Sequence, residues 1–152
     1  MNKIYLAYGS NMNLAQMAHR CPTARVLGSM ELPGYRLLFR GGNGNAVATI
    51  EPYEHGRVPA LLWEITPQDE AALDRYEGWP HLYRKETLTI DFKGRPVSAM
   101  VYIMNDGRPM GGPGLYYYNV ILDGYRDAGL RPDTLLRAAR YSAKPLRRMR
   151  VE

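Results

Sequence analysis

The sequence predicts an α+β fold, a small mixed β-barrel with helices packed outside. Strand-like runs outnumber helix-like ones, and they come in pairs of hairpin length. No steady strand-helix-strand alternation, the pattern that builds a doubly wound parallel sheet, runs through the chain. With 152 residues, 45% hydrophobic and 23% charged, the chain is long enough to bury one core without staples.

Taken in order, residues 3–8 alternate as a strand, and Asn13 can cap a short helix over 14–20 that stops near Pro22. Strand-like runs follow at 25–32, 35–40, 46–51 and 58–65. They are separated by turn signals at Pro33-Gly34, at 41–44 and at Glu54-His55-Gly56. Thr66-Pro67-Gln68-Asp69 reads as a helix start, with Thr66 as N-cap, Pro67 at the first helical position and acidic residues in the first turn; that helix should reach about Tyr76. Strands at 82–92 and 96–104 are joined at Lys93-Gly94. Gly112-Pro113-Gly114 then opens a helix over 115–128, stopped by Gly129, and a last short helix can begin near Pro132. No internal repeat is present, and the glycine clusters are too short to be linkers.

Two segments carry candidate chemistry. In the first, a strand breaks into Gly9-Ser10-Asn11 before a helix restarts, and such a turn can aim several backbone N–H groups at one point as an anion or oxyanion receptor. The plainer reading is a tight strand-to-helix connection, since Gly and Asn are common in turns. Ser10 lacks the Gly-x-Ser-x-Gly elbow and a motif-placed histidine, so it does not read as a hydrolase nucleophile. In the second segment, Glu77 stands at the expected end of a helix, just before Gly78 and among Tyr76, Trp79 and Tyr83. The negative end of a helix disfavours a carboxylate, which points to a role for Glu77 other than stability. Taken singly, the three aromatics read as core packing.

Charge and cysteine content exclude several classes. The net charge of +5 is a property of the end of the chain: residues 1–130 carry 13 basic and 13 acidic residues, whereas 131–152 carry seven basic against Asp133 and Glu152. Such an end, without a stacking-aromatic pattern beyond Tyr141, reads as a solvated appendage rather than a nucleic-acid site. No apolar run approaches a membrane span, and the first residues lack a secretory signal. With a lone Cys21, the expectation is a cytoplasmic protein with neither nucleic-acid nor membrane partners. His19, Cys21, His55 and His81 show no zinc spacing, and the glycine runs at 41–44 and 111–114 fit neither the phosphate loop nor the dinucleotide fingerprint.

The ordered set Tyr8-Gly9-Ser10-Asn11, Ala48-Thr49-Ile50, Leu73-Asp74-x-x-Glu77-Gly78, Tyr83 and a tyrosine-led helix with Gly124 and Gly129-Leu130 resembles the gamma-glutamylcyclotransferase superfamily over roughly residues 4–135. The resemblance implies a small mixed barrel whose members release 5-oxoproline from gamma-glutamyl compounds, with no metal or organic cofactor. It implies that Tyr8, Gly9, Ser10 and Asn11 hold the glutamyl moiety through backbone amides, that Glu77 handles protons, and that Tyr83 lies in the pocket. The late pocket tyrosine is placed at Tyr117, with Tyr116 and Tyr118 as alternative registers. The implied layout is a gamma-glutamylcyclotransferase-like domain over 1–135 and a basic tail over 136–152, in a monomer or homodimer taking a small-molecule gamma-glutamyl substrate. Pro80-His81 and the tail depart from the family pattern and bear on the leaving group. A ligand-binding or regulatory domain of the same fold without turnover is the alternative function.

Overall fold

The computed structural model describes the backbone of residues 1–151 and the side chains of residues 1–143. Five strands, β1 Lys3–Ala7, β2 Arg25–Arg40, β3 Val47–Ile65, β4 Tyr83–Phe92 and β5 Arg95–Met104, form one mixed sheet in the order β2-β3-β1-β5-β4. Only β1 and β5 pair in parallel; the other neighbours are antiparallel. The α+β class is the expected one, but backbone pairing does not close the sheet into a complete barrel. Its two edges approach each other instead: Phe92 at the end of β4 lies against Gly28 in β2, and residues of both strands line one groove between them.

The four central runs expected as separate strands are two long ones. Their register jumps from Pro33↔Arg57 to Tyr35↔Pro52, so the turn signals at Pro33-Gly34 and at residues 54–56 face each other as one bend in a single hairpin. Gly34 takes φ 82°, and Gly56 leaves no room for a side chain, because a Cβ there would stand 2.1 Å from the Tyr35 carbonyl oxygen. At the β4–β5 turn, Lys93 (φ 52°) and Gly94 (φ 78°) both take the left-handed conformation that a two-residue hairpin loop needs.

Among the described residues there are also four α-helices, α1 Leu14–Arg20, α2 Pro67–Glu77, α3 Leu115–Asp127 and α4 Asp133–Val151. In α2 the capping box forms as the sequence suggests: Asp69 N donates to Thr66 Oγ1 at 3.2 Å and Thr66 N to Asp69 Oδ2 at 3.0 Å. Gly78 ends α2 in the left-handed conformation, which leaves Glu77 as the last helical residue. The final helix is longer than the short one expected. Residue 136, where a tail was expected to begin, lies inside α4, whose Ala138 and Ser142 are buried. Ser142 Oγ accepts from Phe39 N of β2 at 2.9 Å. The side chains of residues 144–152, the rest of that expected tail, lie outside the described residues. Among the described residues no helix is long and apolar enough to cross a membrane.

Candidate active site

The site opens where β1 stops. Beyond Ala7 no strand separates β3 from β5, and Thr49 Oγ1 bridges them by accepting from Met104 N at 3.0 Å. Residues 10–12 turn there into a short 3-10 segment before α1. Met12 N and Asn13 N donate to the carbonyls of Gly9 and Ser10, whereas the N–H groups of Gly9, Ser10 and Asn11 donate to no acceptor among the described residues. They are orphan donors at the start of a turn, free for a ligand.

This segment is held firmly. Asn11 spends its other polar groups internally: its amide donates to Tyr5 Oη at 2.9 Å, its side-chain oxygen accepts from Arg20, and its carbonyl accepts from Trp63 Nε1 at 3.0 Å. Asn13 caps α1 through Gln16 N and donates to the Val120 carbonyl of α3. The Ser10 hydroxyl meets Tyr76 Oη at 2.8 Å, and the Arg20 guanidinium lies 3.5 Å over the Tyr76 ring, so Tyr76 roofs the segment from α2.

Tyr5, Tyr8, Gly9, Ser10, Asn11, Ala48, Glu77, Tyr83, Tyr102 and Tyr117 line one narrow cleft of about 20 Å³. All seven residues singled out from the sequence therefore converge. Of the three consecutive tyrosines it is Tyr117 that faces the cleft, while Tyr116 is 78% exposed. Tyr5, Ala48 and Tyr102 are additional walls. The Glu77 residue is half-buried, with its carboxyl turned into the cleft, and it makes no hydrogen bond or ion pair with any described residue. Burial pushes that carboxyl up to about 7, against a smaller opposing pull from Arg20. Burial also raises the five lining tyrosines, which stay protonated at neutral pH.

Where the phenol protons point gives the cleft two sides. Tyr8 donates to the Tyr102 carbonyl at 2.6 Å, Tyr83 to the Ala48 carbonyl at 2.5 Å and Tyr102 to Asp74 Oδ1 at 2.6 Å, so these three oxygens offer only lone pairs to a ligand. Tyr5 and Tyr117 instead accept, from the Asn11 amide and from Ala48 N at 3.1 Å, and keep their protons available. Donors (Tyr5, Tyr117 and the amides of residues 9–11) and acceptors (Glu77, Tyr8, Tyr83 and Tyr102) thus share one cleft, as a ligand with both an anionic and an amine group requires. Among the described residues no three potential metal ligands gather.

A methyl group on Gly9 would stand 3.4 Å from Ala48 Cβ and 3.7 Å from Tyr117 Oη, room enough to exist but in the space a ligand needs. Gly9→Ala should raise the KM or Kd of any cleft ligand about tenfold or more, as one extra methyl does in a fitted pocket. Titration of purified variant and wild type checks it.

The profile of the family described as gamma-glutamyl cyclotransferase, AIG2-like, matches residues 5–119. No curated protein matches the chain. Among solved structures, one named gamma-glutamyl cyclotransferase is similar with a TM-score of 0.77 at 21% identity, over 91% of this chain and 86% of that one. An uncharacterized protein from Homo sapiens gives 0.79 at 21% identity, over 90% and 86%. YkqA from Bacillus subtilis gives 0.76 at 21% identity, over 93% of this chain but 54% of its own. At these identities the structures speak for the fold, and the profile speaks for descent. With a match running from Tyr5 in β1 to Asn119 in α3, every residue that lines the described cleft included, the chain belongs to the gamma-glutamyl cyclotransferase, AIG2-like family.

Proposed function

We propose that the chain cyclises a gamma-glutamyl compound, releasing 5-oxoproline and the amine that the glutamyl group had blocked. The observation that carries this reading is the unpaired Glu77 carboxyl sharing a cleft with the three unspent amides of Gly9, Ser10 and Asn11. A gamma-glutamyl substrate brings its own nucleophile, the alpha-amine, which reaches the gamma-carbonyl in closing a five-membered ring. No covalent enzyme nucleophile is then needed.

The alpha-amino group is largely protonated at neutral pH and must lose a proton before it attacks. Glu77, poised near 7, takes that proton and returns it to the departing nitrogen, acting as base and then as acid. Tyr8 and Tyr83 orient the amine through their lone pairs. The loop amides, with Tyr5 and Tyr117, bind the alpha-carboxylate or the tetrahedral oxyanion, where one donor is worth about 3 kcal/mol. The substrate is a small molecule, and the cytoplasm is the compartment this reading fits.

Assaying purified protein for 5-oxoproline release from gamma-glutamyl amino acids, gamma-glutamylamines and glutathione tests the proposal. Turnover of at least one class is expected, with kcat/KM falling as pH drops below about 7, because the protonated Glu77 cannot act as a base. Binding without product on long incubation would instead favour a ligand-binding domain of this fold.

A further inference from the structure

We infer that Asp74 is a positioning residue for this chemistry: by holding the Tyr102 hydroxyl proton out of the cleft, it keeps Tyr102, with Tyr8 and Tyr83, on the hydrogen-bond-accepting side of the cleft that suits an amine. Its purpose, though not its geometry, rests on the cyclisation proposed above. Asp74 and Glu77 lie three residues apart on α2 and so point from neighbouring positions of one helix face. One is fully engaged and the other is free.

Asp74 Oδ1 accepts from Tyr102 Oη at 2.6 Å, and Lys85 Nζ stands 3.1 Å from the same carboxylate. Lys85 also pairs with Glu70 at 2.9 Å, Glu70 pairs with Lys3 at 3.0 Å, and the Lys85 ammonium lies 4.0 Å over the Trp79 ring. The chain Lys3-Glu70-Lys85-Asp74-Tyr102 therefore runs from the surface to the cleft wall. An ionised carboxylate has no proton to give, so the proton of this short hydrogen bond belongs to Tyr102 and points away from Glu77. Tyr102 also receives the Tyr8 proton on its carbonyl, which links the orientation of two wall residues to one strand position.

Glu77 consequently finds no phenol donor in Tyr8, Tyr83 or Tyr102; the other groups that face it are Arg20, whose charge favours the ionised form, and Tyr5 and Tyr117, whose protons are available in the cleft but make no hydrogen bond to it. A phenol freed to turn toward its carboxylate would form a charge-assisted hydrogen bond, stabilise the ionised form and weaken Glu77 as a base. That is the state from which Asp74 protects the site.

The test is a carbon-13 NMR titration of the Glu77 carboxyl in wild type, Asp74→Ala and the double variant Asp74→Ala/Tyr102→Phe, without ligand. Asp74→Ala should lower the Glu77 midpoint by roughly one pH unit, and the double variant should bring it back to within a few tenths of wild type. The double variant also separates a hydrogen bond from simple loss of a nearby negative charge, which Tyr102→Phe would not reverse. In activity, the low-pH limb of kcat/KM should move down with the midpoint, and kcat should fall about tenfold. An unchanged midpoint in Asp74→Ala, or one equally lowered in the double variant, overturns the role. Should Asp74→Ala not fold, the wild type supplies the check: a slowly exchanging Tyr102 hydroxyl proton is expected, and a rapidly exchanging one overturns the contact. Midpoints that shift as expected in a protein without turnover would sink the reaction and leave the role of Asp74 standing.

Discussion

Glu77→Gln is expected to abolish most turnover while making the protein more stable at neutral and alkaline pH. Glutamine fills the same space but cannot accept the amine proton, and general acid–base groups contribute about 10²–10⁴-fold, so kcat should fall within that range. The stability change follows from burial. The folded carboxyl, pushed from 4.5 to about 7, binds its proton more tightly than the unfolded one does. The fold therefore carries no ionisation cost at low pH, begins to lose stability as pH rises past 4.5, and bears the full cost above about 7. With one side of the residue open to solvent, that cost is on the order of 2–3 kcal/mol. Thermal melts at pH 8 should show the variant above wild type, with the gap closing near pH 4.5. A variant less stable at pH 8 would mean that Glu77 serves the fold.

Gly124→Ala should damage both stability and ligand binding, although a helix ordinarily gains from that change. Alanine is worth about 1 kcal/mol over glycine inside a helix. Against this, a Cβ at Gly124 would stand 2.8 Å from Met12 C and 2.8 Å from Asn13 N, backbone atoms that no side-chain rotation can clear. Overpacking of this kind costs about 1–3 kcal/mol where neighbours can adjust. Here α3 must back away or the 9–13 segment must shift, and the donors of the cleft move with it. The expected result is a net loss of about 1–2 kcal/mol in denaturant unfolding together with a KM raised severalfold. A variant more stable than wild type would show that α3 does not press on this segment.

Local signals made much of the site legible in the sequence. Gly9-Ser10-Asn11 after a strand, Glu77 before a glycine cap and the Thr66 start of α2 are each written within a few neighbouring residues, and the structure places them accordingly. Tyr102 carried no such signal. Residues 99–104 of β5 are all buried, so a cleft-facing position shows none of the alternation that marks one face of a strand. Tyr5 was hidden for a related reason, since the buried run continues past the end of β1 into the turn. The sequence does not distinguish the bent hairpin from separate strands, because Pro33-Gly34 and the glycine at 56 are turn residues whether the chain reverses or only kinks. The length of α4 is masked in the sequence by its arginines, while Leu135, Ala138 and Ser142 form its buried face among the described residues.

A crystal structure with bound 5-oxoproline would decide the matter most directly. The ring should lie in the tyrosine-lined cleft, with its carboxylate or carbonyl oxygen within hydrogen-bonding distance of the amides of Gly9, Ser10 and Asn11, and with its nitrogen facing the Glu77 carboxyl. A product bound elsewhere, or bound with Glu77 swung out to solvent, would contradict the shared cleft on which the mechanism depends.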